Sequence, residues 1–296
     1  MMYIPNEYYY ESALSEKVLL HTRSGLIQIS ELSDRKNITI ISGDGGETIA
    51  AAVVPIGDHS TYKITLENGL TLRSTYNTPV RCVLPDGNES MVPVEHIHRK
   101  DIVSIPVDPR HTIRGGATDA DLSTYLIGAR RDVLPNELLS LPKETVSTLL
   151  MMLLVGDDQR TTVDMDDDNS IVLTHESSSS RAAYQLQQIL LGYYGVATRR
   201  EGTTVTLRDA ELAKLVCKCD IVEYLCNAGK VSYDLSYDQL NSLLSLCEYK
   251  DERETRNYRV VEVESIGRTP TYGLKLQEDT TAVANGFVVG GLRGEI

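Results

Sequence analysis

The chain has 296 residues, which is enough for two modest domains or one large one at roughly 150 residues per domain. Its 29 Lys and Arg against 42 Asp and Glu give a net charge of -13, which disfavours DNA, other polyanions and anionic membranes as partners. No run approaches the ~20 apolar residues of a membrane span, and the first residues do not resemble a signal peptide. Five cysteines, with no CxxC pair, indicate neither a disulfide framework nor a zinc site. A soluble intracellular protein without cofactor or metal is expected.

Short apolar runs separated by turn residues fill the first third of the chain. The predicted strands there are 17–20, 25–29, 38–41, 62–66, 70–72 and 80–84. Asn68-Gly69 lies between two of these runs, a pattern typical of a tight β-hairpin. The end of the chain has the same texture, with predicted strands at 258–263, 272–276 and 287–289.

The middle of the chain is different because its apolar residues recur at helical spacing. Helices are predicted at 138–155, 180–194, 212–226 and 237–247, with strands at 170–174, 196–199 and 203–207. We therefore predict an α+β insert over 108–255 within a β domain formed by 13–107 and 256–291, with tails at 1–12 and 292–296. Because an insert must leave and re-enter its host domain, the two flanks should pack together.

Three stretches of the β part carry a family resemblance. They are Ala13 to Leu32, Gly69 to Val80, and Val263 to Val289. In this order they resemble the conserved segments of an intein, which implies the mostly β horseshoe fold of a Hint (hedgehog/intein) domain. The insert then resembles a LAGLIDADG homing-endonuclease domain, because the segment from Leu141 to Asp158 is similar to the helix that ends in a catalytic aspartate in that family, with Asp157 at the matching position.

The resemblance also implies which positions would carry splicing. Ala13 matches the first nucleophile, Thr75 matches the motif threonine, and Thr78 stands at the motif histidine. The closing histidine, the asparagine that cyclises and the acyl acceptor match Gly290, Gly291 and Leu292. Splicing needs a nucleophile and a group that transfers a proton near neutral pH, and these side chains supply neither. We therefore expect no catalytic residues, and these positions are vestigial splicing positions.

Two alternatives keep some of this chemistry. Ser12 or Ser15 would be the nucleophile if the match were displaced by one or two residues. Asn285 would be the cyclising residue if the closing match were displaced, although Asn285-Gly286 favours a turn.

The predicted insert also lacks the features of an active endonuclease. Asp157 is the single match to a catalytic carboxylate, and the first repeat is reduced to a remnant at 124–128, whereas metal-dependent cleavage of both strands needs two such helices. Residues 111–250 contain 13 Lys and Arg against 20 Asp and Glu, a charge of -7, whereas a DNA-binding surface should be basic. The acidic run 164–168 favours a solvated turn over a calcium loop. His96 and His98 alternate as on one face of a strand, which favours a surface position over a metal site.

The sequence therefore predicts an intein-derived protein that is not an enzyme, having lost splicing and DNA cleavage, and that serves as a structural or protein-binding module. The arm Tyr8 to Tyr10 would contact a protein partner or a larger assembly, because tyrosine is common at interfaces. One alternative is an intein inactivated by engineering, with 1–12 and 292–296 belonging to a host protein. Another is an active homing endonuclease, which predicts metal-dependent DNA cleavage.

Overall fold

The computed structural model describes residues 12–107, 113, 139–155, 160–218, 255–276 and 280–292. The chain divides into two compact units, one formed by 1–113 with 255–296 and the other by 114–254. The first is called the β unit and the second the insert unit.

The described part of the β unit consists of strands and two short 3-10 helices. Its strands are β1 Leu14–Ser15, β2 Leu19–Thr22, β3 Gly25–Gln28, β4 Lys36–Ile41, β5 Glu47–Leu66, β6 Thr71–Thr75, β7 Pro79–Val83, β8 Glu89–Pro93, β9 Ile102–Pro106, β14 Thr255–Leu276, β15 Thr281–Ala284 and β16 Phe287–Gly290. The 3-10 helices are Ile29–Leu32 and Val94–His96. The expectation of a mostly β chain is confirmed.

All twelve of these strands belong to one antiparallel sheet. The order of hydrogen-bonded neighbours is β15-β16-β7-β9-β14-β1-β6-β5-β4-β2-β3, and β8 extends from β7. Strand β15 also pairs with β2, where Ala284 lies opposite Leu20. The last strands of the chain therefore lie between elements from its beginning, and their apolar side chains from Ala282 to Val289 are buried.

The two longest strands are longer than the sequence predicts. Strand β5 has 20 residues and β14 has 22, and they pair with each other along most of their lengths. Gly57, Gly267 and Pro270 lie within these strands, although glycine and proline commonly interrupt strands. The pairing continues through them because β14 shifts register at four places, one of them between Ser265 and Gly267.

The flanks of the insert unit meet within the β sheet. Strand β9 ends at Pro106, and this residue lies opposite Thr255, the first residue of β14. The chain thus leaves the β unit and returns to it at neighbouring strand ends.

The insert unit contains a four-stranded antiparallel sheet and three helices among its described residues. The strands are β10 Thr161–Met165, β11 Ile171–Glu176, β12 Arg199–Glu201 and β13 Thr204–Arg208, in the order β10-β11-β13-β12. The helices are α1 Lys143–Val155, α2 Ser180–Tyr194 and α3 Asp209–Lys218. An α+β character is therefore observed in the middle of the chain.

Helix α2 has the bounds that the sequence predicts because both ends carry local signals. The Ser179 side chain accepts a hydrogen bond from the Ala182 amide at 3.1 Å, which caps the first turn. Gly195 follows the last turn with a φ of 62°, a left-handed conformation that favours glycine. The predicted helix over 237–247 lies outside the described residues.

Two predictions about exposed segments need correction. His96 ends a 3-10 helix and is not on a strand with His98, because the backbone turns at Ile97, whose amide donates to the Val94 carbonyl at 3.1 Å. Asp164 belongs to strand β10, and the turn begins at Asp166, whose carboxylate accepts the Asp168 and Ser170 amides. Within the described ranges, none of the helices has the length and apolar character needed to cross a membrane.

Candidate functional site

The short strand β1 places Ala13 next to the motif threonines. Leu14 pairs with Tyr272 on one side and with Ser74 on the other, so β1 lies between β14 and β6. Thr75, the residue after Ser74, ends β6 and therefore faces Ala13. Both side chains are buried.

Ala13 is held through both polar groups of its backbone. Its amide donates to Thr75 Oγ1 at 3.0 Å. Its carbonyl oxygen accepts from the Thr75 amide at 2.9 Å and from Thr78 Oγ1 at 3.1 Å. The structure thus brings together three positions that the sequence analysis singled out.

The hydroxyl groups at this site cannot supply a proton to the Ala13 amide. Thr75 Oγ1 accepts from that amide, and the nearest acceptor for its single proton is Asn77 Oδ1 at 2.8 Å, with the Ala13 carbonyl oxygen farther away at 3.4 Å. Thr78 lies 3.0 Å from Thr75 between the two hydroxyl oxygens. None of these three side chains titrates near neutral pH, and their hydrogen bonds hold the backbone of Ala13 in place.

Asn77 is a site residue that the sequence analysis did not select. It is buried, and its carboxamide oxygen receives the Thr75 proton. The signal available was its place between Thr75 and Thr78 in the same short motif. Its role depends on a turn, closed by the Thr78 amide donating to the Thr75 carbonyl at 3.2 Å, that folds its side chain back.

Gly290 also lies at this site, although it is distant in sequence. Val289 pairs with Val80, which aligns the end of β16 with the beginning of β7. The Ser12 hydroxyl donates to the Gly290 carbonyl oxygen at 3.4 Å, across 278 positions of sequence. A Cβ atom on Gly290 would lie 3.1 Å from Pro79 Cγ, which is a tight contact.

Gly291 has even less space. A Cβ atom there would lie 2.5 Å from the Leu274 carbonyl oxygen and 2.6 Å from Leu276 Cγ. The following residue, Leu292, donates its amide to the same Leu274 oxygen at 2.7 Å. Gly291 and Leu292 therefore lie along the end of β14, and the backbone around Gly291 leaves no room for an asparagine side chain.

Asn285 stabilises a turn through its backbone conformation and its side-chain hydrogen bonds. Its backbone φ of 51° and that of Gly286 at 88° form the turn between β15 and β16, as the Asn-Gly pair predicts. Its Oδ1 accepts from the Leu19 amide at 2.8 Å, and its Nδ2 donates to the Thr71 carbonyl at 3.0 Å. A side-chain amide held in this way is not placed to attack its own backbone carbonyl.

Ser15 does not contribute to the site. Ser15 lies in β1, where its hydroxyl accepts from Thr269 Oγ1 at 3.5 Å. Asp157 lies outside the described residues.

Cys82 is the cysteine whose side chain the structure describes, and it is buried in β7. Burial raises the pKa of its thiol to about 12, with a smaller contribution from the Asp101 carboxylate. The thiol is therefore protonated at neutral pH, which makes it a poor nucleophile.

No family model matches the chain, and no curated relative matches it. Several solved structures are similar, and those compared below are inteins. A DnaB intein from Synechocystis sp. PCC 6803 has a TM-score of 0.41 and 10% identity over 95% of this chain and 98% of its own. An Ssp DnaB mini-intein variant has a TM-score of 0.43 and 11% identity over 96% of both chains. The transcription factor IIB Mvu mini-intein has a TM-score of 0.40 and 10% identity over 95% of this chain and 99% of its own. Chains that superpose this loosely need not share an activity.

Proposed function

We propose that the chain is an intein-derived protein that no longer splices and that serves as a structural or protein-binding module. The observation that carries this proposal is the assembly at one site of Ala13, Thr75, Thr78 and Gly290, with no thiol or hydroxyl at position 13 and no side chain among the four that titrates near neutral pH. The geometry of a junction is kept while its chemistry is missing.

The first step of splicing fails because Ala13 has no nucleophilic group. A thiol or hydroxyl at this position would attack the preceding carbonyl, and the Ala13 nitrogen would leave with a proton. A methyl group has no lone pair to attack with. The amide nitrogen faces the Thr75 oxygen as its hydrogen-bond acceptor, so the contact supplies no proton to the leaving group.

The last steps fail at the closing positions, which are distant from Ala13 in sequence. Asparagine cyclisation needs a carboxamide, and the acyl transfer needs a thiol or hydroxyl acceptor. Gly291 and Leu292 have neither group. The crowding around Gly291 supports the loss of splicing further, because the backbone arrangement there would not accept an asparagine side chain.

The insert unit is proposed to be a degenerate LAGLIDADG domain that does not cleave DNA. Its charge of -7 over 111–250 supports this view, because the phosphates of DNA would be repelled. We propose a protein partner or larger assembly instead of DNA, contacted through the arm Tyr8 to Tyr10, and an intracellular location.

The intact mass of the purified chain tests the loss of splicing. We expect one species at 32.8 kDa after expression and prolonged incubation. A shortened or ligated product from cleavage at either junction would overturn the proposal.

A variant with both Ala13→Cys and Thr78→His provides a positive control. The new thiol would attack the Ser12 carbonyl carbon, the nitrogen of residue 13 would leave with a proton from the new imidazole, and a thioester would form. Added dithiothreitol would then release the first 12 residues. The single Ala13→Cys variant, which lacks the imidazole, is expected to release much less. Because Thr78 is buried, circular dichroism must first show that the variant folds.

An engineered intein is the second candidate, and Ala13 is the observation that favours it, since alanine removes a nucleophile with little change in shape. Gly290 and Gly291 argue against an engineered intein, because blocking the closing steps does not require glycine at both positions. The genomic reading frame separates the two candidates. A host gene that continues beyond both ends would favour the engineered intein.

A further inference from the structure

Residues 290–292 lead from the end of β16 onto the end of strand β14, where Gly291 and Leu292 lie, and we call them the closing strap. Leu292 forms a parallel bridge with Lys275, and its amide donates to the Leu274 carbonyl at 2.7 Å. At the other end of the strap, the Gly290 carbonyl accepts from the Ser12 hydroxyl. The strap is therefore tied to β14 and to the residue before Ala13.

The Leu292 side chain occupies a space that Gly273 leaves open. A Cβ atom on Gly273 would lie 2.2 Å from Leu292 Cδ1 and 2.9 Å from Leu292 Cγ, far inside normal van der Waals contact. Gly273 has no positive φ that would call for glycine. The absence of a side chain at Gly273 thus leaves the space that the Leu292 side chain fills.

Gly291 shows how closely the strap lies on the strand. The atom nearest to a Cβ at this position is the backbone oxygen of Leu274, at 2.5 Å. A backbone atom paired within a sheet cannot turn aside as a side chain would. Any side chain at 291 therefore requires the strap to lift from β14.

We infer that Leu292, packed against Gly273, is a latch that holds the closing strap on β14. While the strap is held there, residue 291 lies so close to β14 that only glycine fits. The latch rests on these contacts alone, and only the description of the strap as a former splice junction rests on the proposed function. Release of Leu292 would open position 291 and free the Gly290 carbonyl from Ser12.

Hydrogen exchange of the full chain tests the latch. We expect the Leu292 amide to exchange at least about tenfold faster after Leu292→Ala, because the alanine no longer fills the space at Gly273. Leu84→Ala is the matched control, since Leu84 is partly exposed and lies in a different hairpin. An unchanged exchange rate in Leu292→Ala would overturn the latch.

A pair of size changes gives a second, independent readout. Gly273→Ala should lower the denaturation midpoint of the wild-type chain, because the methyl group collides with Leu292. The same change should cost much less in the Leu292→Ala background, where the methyl takes up vacated space. Equal costs in both backgrounds would show that the collision is elsewhere and would contradict the latch.

Position 291 is tested in the same way. Gly291→Ala should be strongly destabilising in the wild-type chain and less so when Leu292→Ala lets the strap lift. If Gly273→Ala or Gly291→Ala does not fold, the exchange rate in Leu292→Ala still decides. None of these measurements involves splicing, so their failure would leave the intact-mass test of the proposed function unaffected.

Discussion

Ala13 and Thr75 form two hydrogen bonds with each other, and each residue donates one of them. The Thr75 amide donates to the Ala13 carbonyl at 2.9 Å, and the Ala13 amide donates to Thr75 Oγ1 at 3.0 Å. This reciprocal pair joins the beginning of the β unit to the end of β6, across 62 positions. It is the contact on which the geometry of the candidate site depends.

Removing the Thr75 hydroxyl should destabilise the fold. Thr75→Val keeps the shape but leaves the buried Ala13 amide without its acceptor, which should cost about 1–3 kcal/mol. Urea unfolding measures the difference. Thr65→Val is a matched control because the Thr65 hydroxyl is buried in the same sheet without a hydrogen-bond partner. We expect that control to be neutral or stabilising, and equal losses in the two variants would contradict the role of Thr75.

Asn285 should be a turn position at which substitution lowers stability. Asn285→Ala removes the acceptor of the Leu19 amide and the donor to the Thr71 carbonyl, and it places alanine at a φ of 51°. The expected loss is about 2–4 kcal/mol by urea unfolding.

Asn285→Gly separates the two contributions, since glycine accepts the positive φ but makes neither side-chain bond. It should recover only the conformational part of the loss. Full recovery of stability would show that the side-chain bonds contribute nothing.

The Cys82 thiol should make stability depend on pH under alkaline conditions. Its pKa is raised from 9.0 to about 12 in the folded chain, chiefly by burial. Between these values the unfolded chain loses a proton that the folded chain retains, so stability falls as the pH rises, by up to about 1.4 kcal/mol per pH unit. Below pH ~9 the thiol is protonated in both states and this dependence vanishes.

The difference between the wild-type chain and Cys82→Ala isolates this effect, because the other titrating groups are common to both. Urea midpoints at pH 8, 9 and 10 should converge as the pH rises if the wild-type chain is the more stable at pH 8. A constant difference across this range would contradict the raised pKa.

The β unit should fold without the insert unit. Pro106 and Thr255 lie opposite each other at neighbouring strand ends, so a short Gly and Ser linker in place of 114–254 would join strand ends that already meet. We expect a β-rich circular dichroism spectrum and a cooperative urea transition. A linker of the same composition but several times longer is the control, and it should cost little because loop entropy grows slowly with length. Loss of the cooperative transition in both would show that the β unit depends on the insert.

Local features of the fold followed from the sequence where a few adjacent residues decide the structure. The hairpin at Asn68-Gly69 forms as predicted, with the Leu66 amide donating to the Leu70 carbonyl at 2.9 Å. Helix α2 has its predicted bounds because Ser179 and Gly195 cap it. The β5 and β14 strands were predicted too short, because only their mutual pairing carries the backbone through Gly57 and Pro270.

The alternation of strands and turns and the α+β middle of the chain are readable from the sequence. So is the presence of alanine, threonine and glycine, and not of a nucleophile, a histidine and an asparagine, at positions 13, 78 and 291. Tertiary structure alone decided that Ser12 meets Gly290, that Asn77 receives the Thr75 proton, and that Leu292 fills the space at Gly273. The reason is physical. Hydrophobic period and turn geometry act over a few residues, whereas these contacts join segments through strand register, which depends on how the whole sheet pairs.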